Sequence, residues 1–414
     1  MIRQKFIILL VLGIALFFFA CENETQVSGM FIKTAIGNAF DEPPKVTNIE
    51  AVDLDQDGLL DVVVADALNN TVSWIRQNPI GVYQEIICAG NVLAPSHVQT
   101  IDFEDDGDLD IVVSLLGMIL PNNAKIGSVI LLENDGNMNF SRINIIENVY
   151  RVSDARAADI DGDGDKDFVA IQFGYVDGET CWIENLGDGN FINHPLQNLA
   201  GGINCEVADI DNDSDEDIIT VVSQQWEEVY LFLNDGTGHF TSHLINGIGN
   251  EDFGSSGISL SDLDMDGDLD ILYTNGDAFD YVPPAPKPWH GINWLENKSN
   301  YKFEFKRIGA LGGAYNAKSF DYDHDGDMDV IAVSTFNAWD DPTAQSMIWL
   351  ENDGKMNFLS HNISATPTHI LALDIGDFNQ DGEIDLVTGG MHVQPPFENM
   401  ARILLWQNNY LKLK

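Results

Sequence analysis

The sequence predicts an all-β fold: a seven-bladed β-propeller of four-stranded blades, closed by an N-terminal strand that completes the last blade. One nine-residue acidic pattern recurs seven times, with successive copies starting 49–59 residues apart. Each copy sits inside the same succession of four short β-prone runs. A lone strand-like run near the N-terminus supplies the strand that the last unit lacks. Self-similarity at this period marks a repeat architecture, and four-stranded units repeated radially make a propeller.

The N-terminus stands apart from these repeats. Arg3 and Lys5 precede an unbroken apolar run over residues 6–20, which ends at Cys21. That run is too short to span a bilayer as a helix, and its basic start and small-residue end describe a secretory signal. The Phe18-Phe19-Ala20-Cys21 end resembles a bacterial lipobox, which implies removal of residues 1–20 and lipidation of Cys21. Glu22-Asn23-Glu24 resembles the acidic tag of surface lipoproteins in some Gram-negative bacteria. An ordinary signal peptide with an incidental cysteine is the plain alternative. The expectation is an exported, monomeric outer-membrane or cell-surface lipoprotein. Residues 21–30 would form a tether and residues 31–414 the propeller, with membrane contact only through Cys21.

In each unit a β-prone run precedes the acidic pattern and an apolar run follows it. A third run ends in Trp-x-Glu-Asn or a variant, as at Trp182-Ile-Glu184-Asn185. A Gly-rich turn and an alternating fourth run close the unit. Short β-rich runs separated by turn residues, without a helical period, make strands. The last unit has almost nothing after Asn408, and residues 31–36 read as the missing fourth strand, which would leave no sheet edge exposed.

The acidic copies are Asp53-Leu-Asp55-Gln-Asp57-Gly58-Leu-Leu-Asp61 and Asp102-Phe-Glu104-Asp-Asp106-Gly107-Asp-Leu-Asp110. The third and fourth are Asp159-Ile-Asp161-Gly-Asp163-Gly164-Asp-Lys-Asp167 and Asp209-Ile-Asp211-Asn-Asp213-Ser214-Asp-Glu-Asp217. The last three are Asp262-Leu-Asp264-Met-Asp266-Gly267-Asp-Leu-Asp270, Asp321-Tyr-Asp323-His-Asp325-Gly326-Asp-Met-Asp329 and Asp377-Phe-Asn379-Gln-Asp381-Gly382-Glu-Ile-Asp385. Acids at positions 1, 3, 5 and 9 crowd carboxylates around one turn, with Gly at position 6 for the reversal. Hard oxygen donors at this density suit Ca²⁺, about one per blade. Asp and Gly are also good turn formers, but seven copies of the same crowded acids exceed what turns require. Glu104, Ser214 and Asn379 depart from the pattern, so blades 2, 4 and 7 are the expected weaker sites.

These loops, with their Trp-x-Glu-Asn partners, resemble the FG-GAP/VCBS repeats that also build the integrin α-chain propeller. The resemblance covers residues 31–408 and implies fold, calcium and an extracellular setting. It implies no single activity, because relatives include adhesion modules, lectin-like binders and sugar-active enzymes.

A formal net charge of −46 argues against nucleic acid or an anionic membrane surface as partner. Cys88, Cys181 and Cys205 do not make a disulfide framework. A Cys181–Cys205 bridge and buried free thiols are both open. No nucleophile elbow, zinc motif, P-loop or dinucleotide fingerprint occurs. Function is therefore expected on the face opposite the acidic loops, where the loops between second and third strands are longest in blades 2, 5, 6 and 7. Those of blades 5 to 7 bring Tyr281, Trp289, His290, Trp339, Asp340, Asp341, His392, Phe397 and Glu398, a mixture suited to sugar rings. Pinning of long loops is the competing role. Three residues before each acidic loop stand Glu50, Gln99, Arg156, Glu206, Ser259, Lys318 and Asp374. They are expected to line the axis, with Arg156 and Lys318 able to meet an anionic ligand such as a uronate. His97, His290, His369 and His392 are the candidate bases of the alternative, a polysaccharide lyase. The first reading is a module that binds a glycan or an extracellular protein.

Overall fold

The computed structural model describes residues 26–27, 29–120, 122–279, 281 and 283–410. The expected signal segment 1–20 and the lipidated Cys21 lie outside the described residues. Seven antiparallel sheets are arranged as a β-propeller, and no helix occurs among the described residues.

Blade 3 illustrates the unit, with strands Arg151–Ala158, Asp167–Phe173, Glu179–Asn185 and Phe191–Gln197 from the axis outward. Second strands are buried along their whole length, as in Asp110–Leu115 and Asp329–Ser334, except at Phe173, which ends that of blade 3. Neighbouring blades cover both of their faces, which explains why they read as apolar runs rather than alternating ones. Fourth strands are largely exposed and alternate, as in Phe240–Gly247. The apolar cores lie between blades: Leu272 and Trp294 of blade 5 pack with Ala317, Ile348 and Leu350 of blade 6.

Blade 7 closes the ring as the sequence predicts. Phe31–Ala35 pairs antiparallel with Ile403–Asn408, placing Phe31 opposite Asn408. Gln26–Val27, within the expected tether, pairs with this closing strand and adds a fifth strand to the blade. A buried clasp reinforces the seam with blade 1. Arg402 donates to Asp66 at 3.0 Å and, through two nitrogens, to Glu85 at 2.9 and 2.7 Å. Pairing of this kind offsets the cost of burying the three charges. Cys88, Cys181 and Cys205 are free thiols, so the Cys181–Cys205 bridge is not formed.

Candidate functional site

The acidic loops connect first to second strands. In blade 1 the two oxygens of Asp53 accept from the backbone N–H groups of Asp57 at 2.9 Å and Gly58 at 2.8 Å. Asp209 does the same with Asp213 and Ser214. The fifth-position acid accepts from the seventh-position N–H, as Asp163 does from Asp165 at 2.9 Å. The ninth-position acid begins the second strand and is fully buried. Asp217 accepts from Ile210 N–H at 3.1 Å and from Asn234 N–H, at the end of the third strand, at 2.8 Å. Asp329 repeats this with Tyr322 and Asn352. The side chain of the motif's closing Asn ties the same corner, as where Asn234 donates to the Glu216 carbonyl at 3.1 Å; in blade 1 Gln77 takes this place and donates to the Leu60 carbonyl at 2.9 Å. Burial pushes the carboxyl of Asp61 up to about 6 and those of Asp217 and Asp329 up to about 7.

Third-position acids are left over from this scaffold. One oxygen of each of Asp55, Asp211 and Asp264 is buried without a hydrogen-bond partner, which is costly for a carboxylate unless a cation meets it. In five blades three carboxylates converge, with one oxygen from each within 4.8 Å of the others. These sets are Asp53, Asp55, Asp57; Asp159, Asp161, Asp163; Asp209, Asp211, Asp217; Asp262, Asp264, Asp270; and Asp321, Asp323, Asp325. Like charges this close repel strongly, so the clusters fit a metal ion. Glu104 and Asn379 belong to the two loops without such a set, those of blades 2 and 7. Blade 4 does assemble one, despite Ser214.

The sequence carries no signal for the fourth loop position, where Gln56, Asp105, Gly162, Asn212, Met265, His324 and Gln380 stand. All seven adopt positive φ, from 55° to 74°. Four of their side chains reach the next blade's loop: Gln56 to the Gly107 carbonyl, Asn212 to Asp268, His324 to Glu383 and Gln380 to the Gly58 carbonyl. The acidic loops thus form a hydrogen-bonded chain across these four blade boundaries.

At the axis lies a cavity of about 880 Å³. All seven residues expected to line the axis do line it, but most are already engaged in joining neighbouring inner strands. Glu50 accepts from the N–H and hydroxyl of Thr100, Gln99 from Ala157 N–H, and Asp374 from Ala51 N–H. Arg156 lies 3.2 Å from Glu206 and 3.5 Å from Asp154, and Lys318 lies 3.1 Å from Asp374. Both candidate anion-binding cations are therefore held in ion pairs with the protein's own carboxylates. His97 also lines the cavity, with Nδ1 3.1 Å from Asp154. Burial, with the nearby Arg156 charge, pushes its pKa down to about 3.

The cavity wall carries aromatic rings from several blades: Phe173 and Tyr175, Phe279 and Tyr281, and Tyr315. Only Tyr281 among them stands out in the sequence reading; Phe173 and Tyr315 belong to strands, and Tyr175 and Phe279 to the loops between second and third strands. Trp289, His290, Trp339 and His392 are not part of this wall. The Trp289 indole N–H donates to the Asp252 carbonyl at 2.8 Å. His290 is buried, and its Nδ1 accepts from the backbone N–H groups of Lys287 and Gly313. Trp339, His369 and His392 form a row of tilted rings, with centroids 5.3 and 5.2 Å apart, and both histidines are buried. Burial lowers the pKa of His290 and His392 to about 4 and that of His369 to about 3. These four predicted ligand residues pin loops; Trp289 shares Asp252 with Tyr281, whose hydroxyl donates to that carboxylate at 3.1 Å, whereas His290, Trp339 and His392 do not join Tyr281 on the cavity wall.

Residues 53–113, 159–220, 209–273 and 321–388, more than half of the chain, match the FG-GAP-like repeat family. No curated protein matches the chain. Among solved structures, it is similar to BBS1N from a crystal of BBS1N in complex with ARL6DN, with a TM-score of 0.52 and 10% identity over 90% of this chain and 96% of that one. It is also similar to the Bacillus licheniformis rhamnogalacturonan lyase PL11, with a TM-score of 0.47 and 13% identity over 91% of this chain and 72% of that one.

Proposed function

Because the chain belongs to the FG-GAP-like repeat family, we propose that it is a calcium-stabilised extracellular binding module whose axial cavity receives a glycan. Calcium would be held by the converging first-, third- and fifth-position acids in blades 3 and 6, and by the ninth-position acid in place of the fifth in blades 4 and 5. Bound there, it supplies the positive charge that the crowded carboxylates lack. Its part is structural, because the loops lie at the end of the strands away from the cavity rim. In this reading the chain is exported and held to the membrane through Cys21.

One observation carries the ligand class. The cavity combines half-buried aromatic rings with amide and hydroxyl groups such as Asn48, Asn316 and Ser319, while Arg156 and Lys318 are held in ion pairs and Arg151 donates to the Met118 and Ile119 carbonyls. Ring faces stack on sugar C–H groups and the amides serve hydroxyls. A neutral glycan fits such a surface better than a uronate, which would need an uncommitted cation. A lyase would need a base active near neutral pH, and His97, at about 3, is a poor proton acceptor.

Glycan-array binding with Tyr175→Ala and Phe279→Ala variants tests the reading. Binding should drop in both and persist in Trp289→Ala and Trp339→Ala. A blank array alongside a co-purifying protein would replace the glycan by a protein partner. Ultraviolet-absorbing unsaturated products from a uronic polysaccharide would replace binding by lyase activity.

A further inference from the structure

The acidic loop of blade 1 differs from the others in what stands opposite it. In the third strand the residue before the closing Asn is Glu184 in blade 3, Glu296 in blade 5 and Glu351 in blade 6; in blade 1 it is Arg76. The Arg76 guanidinium reaches into its own blade's acidic loop. One of its terminal nitrogens lies 2.5 Å from Asp55 and 3.2 Å from Asp57. Asn78 donates to the same Asp57 oxygen at 3.0 Å.

A second exchange accompanies this one. The Trp two residues before each of these positions pairs across to the fourth strand, where it meets His194 in blade 3, Lys306 in blade 5 and His361 in blade 6. These side chains lie over the indole: the His194 and His361 rings stack at 4.5 Å and the Lys306 ammonium sits 4.2 Å from the ring centroid. Each also bonds the third-strand glutamate of its blade, at 2.7, 2.6 and 2.5 Å respectively. In blade 1 the fourth-strand residue opposite Trp74 is Ile86, and Arg76 itself lies over the Trp74 ring. The fourth-strand His or Lys has been exchanged for an apolar residue, and in blade 1 a guanidinium stands on the third strand instead, facing the loop.

We propose that Arg76 takes the place of the metal ion in blade 1, so that this loop draws its counter-charge from within and stays calcium-free where blades 3, 5 and 6 are loaded. The inference rests on the calcium reading and deepens it. The guanidinium brings its positive charge covalently and without competition from protons or chelators. Blade 1 also forms the closing seam with blade 7, through Arg402. A seam blade with a built-in cation keeps its acidic loop in shape when calcium is scarce.

The test counts calcium per chain by elemental analysis after equilibration in calcium and removal of the excess. Arg76→Glu should bind one ion more than the wild type. Asp55→Asn with Asp57→Asn in the wild-type background should leave the count unchanged, whereas Asp161→Asn with Asp163→Asn should lower it by one. A blade 1 double variant that loses one ion would overturn the proposal, even if Arg76→Glu fails to fold. An Arg76→Glu protein that folds and binds no extra ion would overturn it too. A wild type that holds no calcium at all sinks the calcium reading, and this inference with it.

Discussion

The two ends of the propeller are built on opposite plans. At one end, seven loops repeat the same turn, in each of which the sixth-position N–H donates to the first-position Asp, from Gly58 with Asp53 to Gly382 with Asp377. At the other, no two loops between second and third strands are alike, and their side chains wall a single cavity. The repeated end crowds carboxylates into one kind of turn, with a converging set of three in five of the blades, whereas the variable end presents groups that need not satisfy the fold. Stability should therefore answer to changes in the acidic loops, and ligand binding to changes at the cavity rim.

Calcium removal should produce the largest effect. Ligand that binds only the folded state stabilises by about 2.7 kcal/mol per site at hundredfold excess. Stripping several sites at pH 7.5 should thus lower the melting temperature by roughly 10 °C or more. The metal-free protein should also show a pH dependence of definite sign. Burial raises the carboxyls of Asp61, Asp217, Asp329 and Asp385 above 3.8, to between about 6 and about 7. Between those values and 3.8 the folded form binds more protons than the unfolded one, so stability falls as pH rises. In chelator, the protein should melt higher at pH 5 than at pH 7.5. With calcium this order should reverse, since protons then compete with the metal. Melting curves that ignore both chelator and pH would erase the distinction between the two ends.

The next largest effect belongs to the seam. Arg402→Ala leaves Asp66 and Glu85 buried without their cation and should cost about 3–5 kcal/mol, measured by denaturant unfolding. At the cavity rim, Phe279→Ala should weaken glycan binding about tenfold, roughly 1.4 kcal/mol, while the melting temperature moves far less than on calcium removal. A Phe279→Ala protein that binds normally but melts much lower would place this ring with the scaffold instead. Ser214→Gly should have the smallest effect. Ser214 holds φ of 79° where the other six loops have Gly at 90–99°, and relieving it should stabilise by about 1 kcal/mol. A loss of stability there would mean the serine hydroxyl serves the turn.

Reading the repeats alone yields the blade count, the strand order and the ring closure, because each follows from period and from one surplus strand. The ninth-position acids are legible as acids but not as scaffold: their partners, such as Asn234 for Asp217, arrive from the third strand. The left-handed fourth position is invisible, since Met265 and Gln56 are not residues that announce positive φ. Trp289 and Trp339 looked like a ligand surface because long loops rich in aromatics look alike whether they bind or brace. His290, His369 and His392 looked available for chemistry until burial placed them inside.

Sequence by itself determined what repetition can encode: the toroid, the crowded carboxylates and the seven polar residues facing the axis. Tertiary structure alone decided which charges are already spoken for, as Arg156 is by Glu206 and Arg76 by Asp55. The reason is that a charge acts through what lies within a few ångströms of it, and strands distant in the chain set those neighbours.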